Sequence, residues 1–279
     1  MTERLTDITR RIANVRQLEA VVTAMRGIAA SRAQQCRARL PGMRAYAEVI
    51  AGAIGRALPL TTPDPPDGTR AARRAGVILF AAEQGFAGAF SDRMLDAAAP
   101  LLPGAVLFLV GTRGFVLAEE RRLPVAWRSV MAPHVDAVPA VAGRIADALY
   151  DRIAATGLDR MTMVFPTWSA EAGLAAETRV LLPFDFRRFA GPPAAQPPLT
   201  TLPAGVLLAR LAEEYVFAEL CAAAMSAFAA ENEARVAAMI AAKANIERVR
   251  AGLEGRERQT RQEEITAEVA ELAGAMATT

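Results

Sequence analysis

Apolar residues at Leu5, Ile8, Ile12, Val15, Leu18, Val22, Met25 and Ala29 recur every three or four positions. That is the period of an amphipathic helix, with Leu18 as its one displaced step. Thr2 with Glu3, or Thr6 with Asp7, offers a cap. The pattern runs to Leu40, breaks at Pro41-Gly42, where proline removes a backbone donor, and resumes from Met43 to Leu58. One helix is therefore predicted over residues 1–58, kinked near 41–42. A second periodic stretch closes the chain. From Gly205 to Ala275 there is no proline, and alanine, arginine and glutamate, all good helix formers, dominate. Met239, Ala242, Ile246, Val249 and Leu253 alternate at three and four, the mark of a coiled-coil seam. A helix over 205–275 would be roughly 105 Å long, where ordinary helices average about 11–12 residues. It needs a partner, and the N-terminal helix supplies one in an antiparallel coiled coil.

Between the two helices the period changes. Gly76–Ala82 and Ala105–Val110 are short apolar, β-branched runs that read as buried strands, and Val125–Val130 reads as a third. Ser91–Ala99, capped by Ser91, Gly111–Arg122 and Val138–Ala155 read as helices. Met161–Phe165 and Thr178–Leu182 read as two more strands around a turn at Ser169–Gly173. Alternation of strand and helix implies a small, mostly parallel sheet with covering helices, a Rossmann-like α/β domain over residues 76–190. Pro59–Gly68 and the proline-rich Gly191–Pro203 are its links. The predicted fold is thus α/β with long helices: a terminal coiled coil carrying an inserted α/β domain.

Composition narrows the function. The chain has 279 residues, 53% hydrophobic and 22% charged, with a net charge of only +2. Such a balance is globular rather than disordered. Lys243 is the sole lysine, so the basic residues are otherwise arginines, which fork onto carboxylates. Residues 1–56 hold ten arginines against Glu3, Asp7, Glu19 and Glu48. A basic helix of this kind suits nucleic acid, a membrane surface or an acidic protein partner. Cys36 and Cys221 form no CxxC pair, which suggests a reducing cytosol without zinc or redox chemistry. The polar start from Thr2 to Arg11 is no signal peptide, and no stretch is apolar enough to span a membrane.

Candidate chemistry is sparse. Gly85-Phe86-Ala87-Gly88-Ala89-Phe90 lies between a strand and a helix, a context that cradles phosphate. It lacks both GxGxxG and a P-loop lysine, and a tight turn explains its glycines. His134, the single histidine, has no partner for a metal site or a triad and reads as a surface loop residue. Glu263, Glu264, Glu268 and Glu271 follow a zone of arginines, a charge pattern normal for an exposed helical rod. The basic first helix carries no set of exposed aromatics for base stacking. No catalytic, metal or cofactor site is expected. A nucleotide-binding enzyme with helical arms and a non-catalytic coiled-coil adaptor remain as alternatives.

Three stretches, in order and over nearly the whole chain, resemble the gamma subunit of F-type ATP synthases. Leu5–Arg32 is similar to that family's first helix, with its core Ala24-Met25-Arg26-Gly27-Ile28-Ala29-Ala30. Phe80–Phe90 (FAAEQGFAGAF) is similar to the family's SDRGLCGGFN turn, with Glu83-Gln84 in place of Asp-Arg. Glu231–Ile246 (ENEARVAAMIAAKANI), then RQEEITAEVAELAGA, resembles the family's ExxARMxAM and RQxxITxE segments. The resemblance implies a central shaft within a collar of alpha and beta subunits. Its α/β domain would stand at the foot, beside the epsilon subunit and the membrane c-ring. It implies no nucleotide site on this chain and no nucleic-acid partner. The location it implies is peripheral, on the cytoplasmic side of the bacterial inner membrane.

Carried over residue by residue, the resemblance assigns contacts with beta to Met25, Arg26, Arg235, Gln262, Thr266 and Glu268. Three departures stand out. The ending between Glu271 and Gly274 is one residue short, the foot segment reads Leu199–Val206 (LTTLPAGV) without the usual tyrosines and acids, and no plastid-type dithiol insert is present. The wording of the first helix also differs from the commonest bacterial version, which leaves open a conventional or a divergent, alternate F-type complex.

Overall fold

The computed structural model describes residues 5–61, 74–184, 189 and 198–277. Ten elements alternate: α1 (Leu5–Ala57), β1 (Arg74–Phe80), α2 (Phe90–Ala98), β2 (Val106–Val110), α3 (Thr112–Glu120), β3 (Val125–Ser129), α4 (Val138–Thr156), β4 (Leu158–Ser169), β5 (Gly173–Leu182) and α5 (Ala204–Ala277). Thr2, Glu3 and most of both predicted links lie outside the described residues. The chain divides into two compact units, Met1–Ala29 with Val236–Thr279, and Ala30–Arg235. Helices α1 and α5 each run unbroken across that division, and α1 also runs unbroken across Pro41.

In the unit of the chain ends, α1 and α5 pair antiparallel. Ile8 and Ile12 are buried with Leu253, and Val15 packs on them. The inward stripe of α1 continues through Glu19, Val22 and Arg26 to Ala29, alternating four and three residues without a break. This corrects the predicted seam at two points. Leu18 is 56% exposed and Val249 is 46% exposed. Their neighbours Glu19 and Arg250 turn inward instead and form an ion pair. Arg16 reaches Glu254 at 3.5 Å, and Thr9 donates to Glu257 at 3.3 Å. A strict heptad steps 3.5 residues per turn. From Val15 the next step can fall on residue 18 or 19, and the available charge partner selects 19.

In the other unit, five strands form one sheet in the order β3-β2-β1-β4-β5. The first four are parallel and β5 is antiparallel to β4. Side chains alternate across it, as a strand's two-residue period requires. Ile78, Phe80, Phe108 and Val110 face a core shared with α4 and the middle of α5. Val77, Leu79, Leu107 and Leu109 face α2. The connections through α2 and α3 carry the chain outward to β3. That through α4 returns it to the far side of β1, which makes a switch point between β1 and β4. The last two strands are much longer than predicted, because hydrogen-bond pairing extends from Met161–Leu182 to Ser169–Gly173. Ser91 is not the cap of α2: Ala89 holds that position, and the Ser91 hydroxyl accepts from the Ala82 N–H at 3.1 Å.

Within this unit α5 is buried almost all round from Tyr215 to Arg235. That is why its alanines matter: small side chains let the sheet and α1 close on it. Cys36 of α1 and Cys221 of α5 are both fully buried in this core. The Cys36 thiol donates to the Met225 carbonyl at 3.0 Å. Burial pushes the Cys36 thiol up to about 11 and the Cys221 thiol up to about 12. The native chain is therefore expected to resist a thiol reagent at pH 8 and to release two reactive thiols on denaturation. Both pKa values are raised on folding from 9.0, so the folded state holds more protons between the two values. Thermal stability should stay level below pH 9 and fall between pH 9 and 11, as a pH series of melting curves would record.

Candidate functional site

The predicted glycine turn after β1 is the centre of a polar network. Its backbone leaves the sheet at Ala81 and crosses the carboxyl ends of β2 and β3. Gly111, at φ 107°, opens α3 beside it, and a Cβ there would stand 2.3 Å from the Ala81 carbonyl oxygen. Only glycine fits so close an approach.

Two carboxylates hold this turn. Glu83 accepts from the Thr112 N–H at 3.1 Å, the Thr112 hydroxyl at 2.6 Å and the Met131 N–H at 2.8 Å. It thereby satisfies the free donors at the start of α3 and the end of β3. Glu231 of α5, almost fully buried, accepts from the backbone N–H groups of Glu83 at 2.9 Å and Gln84 at 3.0 Å. Arg235, one turn on, donates to Glu231 at 2.5 Å, to Asn232 at 3.0 Å and to the Gly85 carbonyl at 3.2 Å. Asn232 in turn donates to the Phe228 carbonyl at 2.8 Å. A buried charge pair is tolerated when its remaining donors and acceptors are satisfied in this way.

The arrangement bears directly on phosphate binding. Doubly wound sheets take ligands in the crevice beyond the carboxyl ends of their strands, against a helix N-terminus. Here the N-terminus of α3 is met by the chain's own Glu83, and the Glu83 and Gln84 N–H groups are taken by Glu231. A phosphate placed against the N-terminus of α3 would meet these two carboxylates. His134 is exposed at the start of a short 3-10 turn, as expected of a surface residue. Among the described residues no cluster of acidic, histidine or cysteine side chains is arranged to hold a metal ion.

The six residues singled out in the sequence fall into three groups. Met25 and Arg26 lie half-buried side by side on α1. Gln262, Thr266 and Glu268 are exposed on α5, where the Thr266 hydroxyl donates to the Gln262 carbonyl at 2.8 Å. Every residue from Arg261 to Ala273 is exposed, including Ile265, Val269 and Leu272, which recur at four and three. Arg235 is different: it is 5% exposed, and its guanidinium is committed to its own chain. Within its own chain Arg235 therefore has an internal role. Sequence reasoning missed Glu83 and Glu231. The available signal was a pair of opposite charges at i and i+4, Glu231 and Arg235, in an alanine-rich stretch of the helix.

The chain matches the family model described as ATP synthase over residues 4–278. It is 30% identical to the ATP synthase gamma chain of Parafrankia sp., covering 98% of this chain and 97% of that one. Against the gamma chain of Frankia casuarinae the identity is also 30%, over 98% and 97%. Among solved structures it is similar to a chain of the mitochondrial ATP synthase of Euglena gracilis, with a TM-score of 0.65 at 14% identity, covering 98% of this chain and 94% of that chain. A chain of the central stalk and c-ring structure from Tetrahymena thermophila matches with a TM-score of 0.58 at 17% identity, over 80% and 99%.

Proposed function

The chain belongs to the ATP synthase gamma-chain family, and from that membership we propose that it is the central rotor shaft of a bacterial F-type ATP synthase. The observation that carries this reading is the whole-length match, which covers both long helices and the α/β domain between them. The physical reading agrees with it. The helix surface from Arg261 to Ala273 is exposed all round with no partner among the described residues, and its apolar stripe at Ile265, Val269 and Leu272 suits a bearing formed by other subunits. In this proposal residues 1–58 and 205–275 form the shaft, and 76–190 form the foot beside epsilon and the c-ring. Chemistry then belongs to the beta subunits. This chain supplies coupling, because it makes different contacts with each beta as it turns and so biases each toward a different state.

Met25 and Arg26 on α1, with Arg235, Gln262, Thr266 and Glu268 on α5, are the proposed contacts with beta, and Arg235 also braces the turn after β1 of its own chain. Attachment to the membrane is peripheral, through the complex, on the cytoplasmic side of the inner membrane. In keeping with this, no helix among the described residues is long and apolar enough to cross a membrane. The test is co-expression with the alpha and beta subunits of the same operon, followed by gel filtration and a Mg-ATPase assay. One large complex whose multi-site ATPase depends on this chain is expected. Arg26→Glu should then change turnover about tenfold while leaving the complex intact, because it reverses a charge able to fork onto a beta carboxylate. A chain that elutes alone and leaves the ATPase of alpha and beta unaltered would overturn the proposal.

A further inference from the structure

Helix α5 leaves the sheet-bearing unit at Arg235. Before it does, polar side chains fasten it to the α/β layer. Glu219 pairs with Arg179 of β5 at 2.7 Å. The Ser226 hydroxyl donates to the Pro166 carbonyl of β4 at 2.9 Å. Glu231 and Arg235 then bind the turn after β1, and Glu83 of that turn binds the start of α3 and the end of β3. On its other side the same helical turn is tied to α1 by Glu233 and Arg37 at 2.6 Å. The last fastening is both the most buried and the only one whose bonds reach three separate strand ends.

We propose that Glu83 and Glu231 are positioning residues for coupling: they clamp the root of α5, so that rotation of the α/β domain becomes rotation of the shaft rather than local twisting of the helix. The inference rests on the shaft function and goes beyond it by assigning torsional grip to two residues bonded within this chain. The physical basis is leverage. If Glu231 and Arg235 release the turn, the last of these polar bonds from α5 to the α/β layer is that of Ser226, more than two helical turns earlier, at about 3.6 residues per turn. The freed turns then flex under load. Without load they carry no torque, so free-running hydrolysis is little affected.

The test uses the whole complex in inverted membrane vesicles, with wild type, Glu83→Gln, Glu231→Gln and, as a control, Ile145→Val. Ile145 is fully buried in the same unit on α4, away from the clamp. Ion uptake, of protons by dye quenching or of radiolabelled sodium, is measured per ATP hydrolysed. ATPase of the detached alpha–beta–gamma assembly and its melting temperature are measured in parallel. Each glutamine variant should keep half or more of the detached ATPase while losing about threefold or more in ions moved per ATP, because charged hydrogen bonds to backbone donors are exchanged for weaker ones. The control, although less stable, should keep the wild-type ratio. An unchanged ratio in both glutamine variants overturns the clamp, as does an equal fall in the control. Failure of the wild-type chain to support ATPase at all would instead overturn the shaft reading, so the two outcomes are separable.

Discussion

Replacing Phe108 by alanine is expected to cost about 3–5 kcal/mol of folding free energy, as for other buried aromatic truncations. Phe108 is 1% exposed in the middle of β2, and its ring lies 5.8 Å from that of Trp127 on β3. The lost ring removes packing from the sheet and from the α4 and α5 face together, so the hole cannot collapse onto one mobile neighbour. Domains of this kind are stable by only about 5–15 kcal/mol in total. The variant should melt many degrees lower in a thermal scan followed by circular dichroism near 222 nm. A shift of a degree or two would mean that Phe108 lies outside the cooperative core.

Arg235→Ala should be nearly as damaging, for an electrostatic reason. Both members of the Glu231–Arg235 pair are buried, with side chains 6% exposed. Removing the arginine leaves a buried carboxylate with its counter-charge gone, a change that typically costs about 3–5 kcal/mol. The other α5 arginine that turns inward gives the contrast. Arg250 and Glu19 keep 33% and 21% of their side chains in solvent. Water screens that pair, and Arg250→Ala should cost about 1 kcal/mol or less. Paired denaturant titrations of the two variants would display the difference. Equal losses would mean that the buried network is not what holds the turn.

Much of this molecule was legible because its signals are periodic. The strands at Val77–Phe80 and Leu107–Val110 are continuous apolar runs because helices cover both faces of their sheet. The two terminal helices declare themselves by alternating steps of three and four. What escaped was whatever depends on partners distant in sequence. Glu19 displaces Leu18 from the seam because Arg250 lies opposite, 231 residues away. The strands at Leu158–Ser169 and Gly173–Leu182 exceed their apolar cores because hairpin pairing continues through polar Glu177 and Thr178. Ser91 resembles a helix cap locally, yet its hydroxyl serves a strand end. The glycine turn was visible as a turn, but its chemistry was not: Glu83 and Glu231 are 148 residues apart and meet only through the fold.

The pairing of the first helix with the last has a consequence for how the protein is made. Thr9 bonds Glu257 across 248 residues of chain. The apolar edge of α1 therefore leaves the ribosome long before its partner on α5 is translated. At about 5–20 residues per second, the 248 residues from Thr9 to Glu257 take roughly 12 to 50 seconds to be made. For most of that time Ile8 and Ile12 have no mate. The nascent chain is open to wrong association throughout this interval, and prematurely terminated chains would carry the same exposed edge for as long as they last.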